Sequence, residues 1–413
     1  MKLLVFILLI GTTLTSAHAT ATESWSRSVD LTATEERIPY SDEHGFGYEF
    51  GTESHTPGAP YFYSIKVPEG NYRVTVTLGG EDAGDTTIKA ESRRLMLESV
   101  TTLPNETITR SFFVNVRNTN IPPPEKNAPG GDAVLINERE IGSFTWDDKL
   151  TLEINGQWPL VRSISLEPAN ATTVFLLGDS TVTDQRWEDG ASWGQMLPRF
   201  LPGIAIANHA ESGETLKSFL SGLRLAKVLS QVRPGDYVFI QFGHNDQKKQ
   251  WPQTYVEAHT TYQAYLRAFI AEVRLRGATP VLVTSMQRRT FDEHGKITNT
   301  HGDYPQAVRD IAAEQEVALI DLDRMSIALY EALNPERAPL AFAASGKDAT
   351  HHNNYGAYQL AKCIAQGIRD TVLPLADALA DDFAGFDPAN PDDPAIFNFP
   401  ASPLHSDVRP RGN

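Results

Sequence analysis

TVFLLGDSTVTDQRW, residues Thr173 to Trp187, marks the point where the chain changes its hydrophobic period. The apolar run 174–177 ends abruptly in Gly178-Asp179-Ser180, which neither continues a strand nor opens a helix with an ordinary cap. Downstream, short apolar runs recur at 204–207, 237–242, 280–284 and 317–321, each followed by a polar loop. Between them, 255–276 and 305–316 repeat apolar residues at spacings of three and four, the period of a helix with one buried face. Strands alternating with helices predict an α/β domain, a parallel sheet covered on both faces, with ligands at the carboxyl ends of the strands. Ser180 falls at such an end.

Upstream the period is two. Tyr63, Ile65 and Val67 alternate with polar neighbours, as do Tyr72, Val74, Val76 and Leu78, then Leu150, Leu152 and Ile154, then Ile164 and Leu166. Pro68-Glu69-Gly70-Asn71 reads as a turn between the first two runs. Short alternating strands joined by Gly, Pro and Asn turns predict an all-β sandwich of jelly-roll type. The stretch IPPPEKNAPGGD has to be a loop, because consecutive prolines remove backbone donors.

The chain therefore divides into a leader at 1–19, a sandwich at 20–170, an α/β domain at 171–377 and a tail at 378–413. Lys2, the apolar run 3–10 and the small residues of Ala17-His18-Ala19 have the pattern of a cleaved secretory signal. Gly11-Thr12-Thr13 ends the run before it is long enough to span a bilayer. Secretion or a periplasmic location follows as an expectation. The tail is rich in Asp, Pro and Ala without periodicity and reads as loosely packed.

A net charge of -16 over 413 residues argues against nucleic acid or an anionic membrane as partner. Cys363 is the only cysteine, so no internal disulfide is available. It falls in a helical pattern and reads as a buried small hydrophobe.

A serine hydroxyl is a weak nucleophile until a base takes its proton, and that base needs a carboxylate to orient it. The sequence DATHHNNYGAYQLAKCIAQGI offers both. Asp348 precedes His351 by three residues in a tight turn, and Leu360, Ile364 and Ile368 mark one face of a following helix. His352 stands beside His351, so two bases are possible. Acyl transfer also needs donors for the developing oxyanion. Gly213, after the second strand, can bring its N–H close, and Asn245, after the third, offers an amide that no pH change removes. His244, Asp246, His351 and His352 include metal-ligating types, but no HExxH or Cys/His spacing supports a metal, and no cofactor is implied.

GDS after the first α/β strand, a glycine after the second, GHND after the third and DATH before the final helix resemble the four blocks of the SGNH (GDSL-like) hydrolases. FGHNDQ, TSMQRRTFDEHGKI, HGDYPQAVRDIA and DATHHNNYGAYQLA are similar to rhamnogalacturonan acetylesterases among the carbohydrate esterases, over 173–370. Threonine follows the serine where the superfamily's nickname has leucine, a position without chemical duty. The resemblance implies a three-layer αβα, flavodoxin-like fold and a metal-free Ser-His-Asp mechanism. Ser180 would be the nucleophile, His351 the base and Asp348 its carboxylate. The Ser180 and Gly213 N–H groups and the Asn245 side chain would surround the oxyanion.

The amino-terminal half is similar to galactose-binding-like sandwiches. Tyr61, Phe62 or Trp146 would be its glycan-stacking residues if exposed, but alternation turns several of these aromatics inward, favouring a packing role. The expected substrate is an acetylated pectic polysaccharide, rhamnogalacturonan. The alternatives are an acetylesterase for xylan or another plant polysaccharide, and a silent glycan-binding protein. To hold uronates despite the negative charge, Lys248, Arg288, Arg289 and His352 are the candidate substrate contacts.

Overall fold

The structure is a computed structural model and describes residues 26–32, 37–52, 58–126 and 129–404. The leader at 1–19 lies outside the described residues. The first region is an antiparallel sandwich of β1 (Arg27–Asp30), β2 (Phe46–Glu49), β3 (Tyr61–Lys66), β4 (Gly70–Gly79), β5 (Gly84–Ala90), β6 (Arg94–Thr102), β7 (Thr107–Val116), β8 (Lys149–Trp158) and β9 (Val161–Pro168). One sheet has the order β1-β9-β4-β7 and the other β2-β3-β8-β5-β6. The period of two decides the faces. Tyr72, Val74, Val76 and Leu78 of β4 meet Tyr63, Ile65, Leu150, Leu152 and Ile154 of the other sheet in one core.

Two features of this half departed from the pattern. The strands β5 and β6 carry Lys89, Arg93 and Arg94 near their junction, which hides their alternation, yet all three side chains are buried. Each is compensated: Lys89 by Glu153 at 3.0 Å, Arg93 by Glu188 at 2.6 Å and Arg94 by Asp184 at 3.0 Å. The strand β3 is covered on both faces. Tyr61 is 6% exposed and Phe62 1%, and Trp146 lies under the Arg117 guanidinium, so none is a free stacking platform.

In the second region, β10 (Thr173–Gly178), β11 (Ala205–Asn208), β12 (Tyr237–Gln241), β13 (Thr279–Val283) and β14 (Ala318–Ile320) form a parallel sheet. Its order is β11-β10-β12-β13-β14, so the chain reverses its direction of travel beside β10. The crevice at such a reversal is where open α/β sheets bind ligands. Alternate residues of β10 feed opposite cores: Val174 and Leu176 one, Phe175 and Leu177 the other. The first core is closed by α1 (Trp193–Met196), α6 (Leu322–Arg337) and α7 (Asn354–Asp370), and the second by α2 (Leu216–Ser221), α3 (Arg224–Gln231), α4 (Gln263–Leu275) and α5 (Tyr304–Glu314). This is the expected three-layer α/β architecture. The helix expected at 255–276 starts later, because Ala258–Tyr262 forms a π-turn ahead of α4.

The two regions are joined by buried charge. Arg94 bonds the carbonyls of Asn115 and Ile206, one in each region, as well as Asp184, and Arg93 bonds the carbonyls of Gln185 and Gly190. The tail reverses its expected looseness as far as it is described. Phe383, Phe386, Phe397 and Phe399 pack on the α7 side of the core, Ser402 is buried, and Pro400 and Ala401 carbonyls accept from Lys89 and Asn155. Widely spaced phenylalanines among prolines show no period, yet each can fill a separate gap.

Candidate active site

Ser180 and its neighbour divide two duties. The Asp179 carboxylate accepts from the Thr181 N–H at 3.0 Å and the Thr181 hydroxyl at 2.8 Å, so the capping role belongs to the aspartate. Burial raises the Asp179 pKa, partly offset by these bonds. That frees the Ser180 side chain. The turn after β10 is fixed by the Gln185 side chain, which donates to the Ser180 carbonyl at 2.6 Å. The turn also presses close to β12, since a Cβ on Gly178 would lie 2.9 Å from the Gln241 carbonyl.

The Ser180 hydroxyl lies 2.9 Å from His351 Nε2, and His351 Nδ1 lies 2.9 Å from Asp348 Oδ2. All three residues are buried. With Nδ1–H donated to the carboxylate, Nε2 is left as an acceptor for the serine proton. The other oxygen of Asp348 accepts the N–H groups of Thr350 and His351, at 2.7 and 3.0 Å, which locks the turn. Asn353 then caps α7 by accepting from Gly356. The cap places the histidine turn directly ahead of the helix, and the helix packs into the same core as Val174 and Leu176 of β10.

The second histidine does something else. His352 Nε2 and the Tyr330 hydroxyl share a hydrogen bond of 2.7 Å, and the ring packs on Phe342. Burial, with His351 as a lesser cause, pushes the His352 pKa down to about 3. The structure therefore places it as a buried neutral ring against Tyr330 and Phe342. Burial likewise holds His244 neutral; it faces His301 edge-on at 4.4 Å. Among the described residues no group of three or more His, Cys, Asp or Glu side chains is arranged to hold a metal ion.

Gly213 sits in a turn closed by the Glu214 N–H on the Glu211 carbonyl at 3.2 Å, and its φ of 84° is one that side-chain-bearing residues rarely adopt. A Cβ there would meet nothing within 4 Å, so the space beside it is open. The turn is tied to β10 by the Glu211 N–H on the Gly178 carbonyl. Asn245 is buried, and its amide donates to the Glu214 carbonyl at 3.1 Å. An amide has two hydrogens, and this bond uses one of them. Asp246 anchors the same corner by accepting from the Gly243 and Leu216 N–H groups, each at 2.9 Å.

The arginine pair is committed to the protein. Arg289 donates to the Gly346 and Asp348 carbonyls and lies over Phe342, bracing the carboxylate's own turn. Arg288 reaches the His244 carbonyl at 3.2 Å and the Thr300 hydroxyl at 3.4 Å, bridging the loops after β12 and β13. Each guanidinium thus has protein partners already, and a uronate contact by either remains a proposal. Lys248 lies 4.1 Å from the centre of the Trp251 ring, and burial lowers its pKa to about 8, helped by Arg288. Trp251 opens instead onto a groove of about 660 Å³, lined also by Gly213, Glu214, Ser218, Asn137 and Arg139. Asn137 and Arg139 come from the sandwich region, on the arm between β7 and β8. No pattern in the sequence pointed to them, because isolated polar residues after a proline-rich loop carry no period.

The family model described as "GDSL-like Lipase/Acylhydrolase family" matches residues 176–360. Rhamnogalacturonan acetylesterase RhgT of Bacillus subtilis is 41% identical over 220 residues, which cover 50% of this chain and 93% of that protein. The chain belongs to the GDSL-like hydrolases. A second B. subtilis relative, named probable rhamnogalacturonan acetylesterase YesY, is 38% identical over 51% of this chain and 98% of its own length. The solved structure of B. subtilis YxiM is 20% identical and covers 85% of this chain and 99% of that one, with a TM-score of 0.49. As a GDSL-like hydrolase the protein is a carboxylic ester hydrolase, and two of its B. subtilis relatives carry acetylesterase names.

Proposed function

We propose that this hydrolase removes acetyl groups from rhamnogalacturonan through an acyl-enzyme on Ser180. The observation that carries the mechanism is the chain of contacts Ser180 Oγ, His351 Nε2, His351 Nδ1 and Asp348 Oδ2, with 2.9 Å at both hydrogen bonds. His351 takes the serine proton as Oγ attacks the acetyl carbonyl. It then returns that proton to the departing sugar oxygen, and a water repeats the sequence to free acetate. The Ser180 and Gly213 N–H groups and the second Asn245 hydrogen receive the oxyanion. The names of the two B. subtilis relatives support the pectic substrate. The groove lined by Gly213 and Trp251 combines one aromatic with polar residues such as Asn137 and Ser218, a lining that suits a sugar chain.

Acetate release tests this on acetylated rhamnogalacturonan, acetylxylan and a small neutral acetate ester. The proposal expects the pectic polymer to have the highest kcat/KM, whereas preference for acetylxylan would overturn the substrate. Export is part of the same proposal and rests on the 1–19 pattern. Amino-terminal sequencing of the mature protein from its host should begin after Ala19, and a chain retaining the leader in the cytoplasm would contradict it.

A further inference from the structure

The family match begins at residue 176, yet one segment of the sandwich reaches the catalytic corner. It is the arm between β7 and β8, where Asn137 is followed by a short turn over Glu138–Glu140. Two successive residues of that turn, opposite in charge, are linked to the loop that carries Gly213, Arg139 directly and Glu140 through Arg224. Arg139 Nε donates to the Glu211 carboxylate at 2.6 Å, and its Nη2 donates to the Ser212 carbonyl. Glu140 is held by the Asn137 N–H at 2.7 Å and the Trp146 indole N–H at 2.8 Å, and it accepts from Arg224. Arg224 is fully buried and places its Nε 3.4 Å from the Glu214 carboxylate. The carbonyl of Glu214 is in turn the acceptor of the Asn245 amide. The arm thus grips the turn on both sides of Gly213, directly through Arg139 and through Arg224 from Glu140.

We propose that the sandwich region positions the oxyanion-binding groups of the catalytic region, with Arg139 as the positioning residue that fixes the Glu211–Glu214 turn. This rests on the assignment of Gly213 and Asn245 above. The turn needs an outside brace. Gly213 has an open side and a left-handed φ, and the backbone bonds at its turn run from the Glu214 N–H to Glu211 and from the Glu211 N–H to Gly178. Charge-assisted hydrogen bonds from a guanidinium to a carboxylate and a carbonyl fix a plane as well as a distance. An oxyanion donor works only where it is already aimed, and small displacements of a reacting constellation are costly in rate.

The test uses the full-length protein and a small neutral acetate ester, too short to occupy the groove. Arg139→Ala should lower kcat about 10- to 100-fold with KM within about twofold, because the acyl binding surface is intact while the donors lose their aim. Arg139→Lys should recover part of that loss, since one of the two bonds can re-form. Combined with Asn245→Ala, the Arg139→Ala loss should shrink to a small fraction of its value alone, because both act on one group of donors. Glu211→Gln provides a second entry to the same contact and should give a smaller fall in kcat. Fully additive losses, or Arg139→Ala and Glu211→Gln variants with wild-type kcat, would overturn the proposal while leaving a slow Asn245→Ala to uphold the oxyanion assignment. An Asn245→Ala enzyme with normal kcat would overturn that assignment and the proposal with it.

Discussion

Replacing Asp348 by asparagine should silence the enzyme by reversing one histidine tautomer. One carboxylate oxygen accepts two N–H groups, from Thr350 at 2.7 Å and His351 at 3.0 Å, and the other accepts His351 Nδ1–H at 2.9 Å. Asparagine has one acceptor and one donor end. Turning its NH₂ toward the two backbone donors would leave both of them unsatisfied in a buried site, at about 1–3 kcal/mol each. The amide oxygen therefore stays with the backbone, and the NH₂ faces Nδ1. Nδ1 must then accept, which moves the ring proton to Nε2, 2.9 Å from the Ser180 hydroxyl. A nitrogen that carries a proton cannot take one from serine. The expected fall in kcat is about 10⁴-fold, or ~5.5 kcal/mol of transition-state stabilisation. The assay is initial-rate hydrolysis of a chromogenic acetate ester, with thermal unfolding as control. Asp348→Asn should unfold close to wild type, whereas Asp348→Ala should lose stability as well as rate because the two backbone donors lose their acceptor. An Asp348→Asn enzyme within tenfold of wild type would refute the tautomer argument.

Tyr330→Phe should cost about 1–3 kcal/mol of stability by leaving His352 Nε2 without its 2.7 Å partner, yet leave kcat near wild type; a large kcat loss would return His352 to the chemistry. Arg289→Gln removes the bonds to the Gly346 and Asp348 carbonyls, so deacetylation of polymer and of small ester should fall by the same factor, and a selective loss on polymer would restore the uronate contact. Burial, with the nearby Glu140 charge as a second cause, pushes the Glu211 pKa up from 4.5 to about 7. The folded protein therefore holds this proton when the unfolded chain has released it, and the stabilising contribution present below 4.5 is lost as pH rises through 7. Between these pH values wild type should lose more stability than Glu211→Gln, measured by denaturant titration; parallel pH profiles would contradict the raised pKa.

What could be read from the sequence follows physical period and local chemistry. The strands before Ser180, Gly213 and Asn245 announced themselves because strands covered on both faces are wholly apolar, and the three-residue step from Asp348 to His351 is a local constraint. His351 and His352 could not be ranked by spacing alone; the deciding contact with Ser180 comes from 171 residues away. The strands β5 and β6 were missed because Lys89, Arg93 and Arg94 are buried through ion pairs with distant residues. The reach of Arg139 into the catalytic corner was invisible for the same reason, since its partners lie more than seventy positions along the chain. The partners of Arg288 and Arg289 were equally illegible, since loop cations give no sign in the sequence of the carbonyls they meet.

The central claim is that Ser180 carries the acyl group, and trapping that intermediate tests it most directly. Mixing the full-length protein with excess activated acetate ester, quenching in acid and mapping peptides by mass spectrometry should find one added acetyl group, on the peptide containing Ser180. The pre-steady-state release of the leaving alcohol should match one equivalent of enzyme. The Ser180→Ala protein, folded to the same stability, should show neither. Acetyl on another residue, or full turnover by Ser180→Ala, would contradict the account.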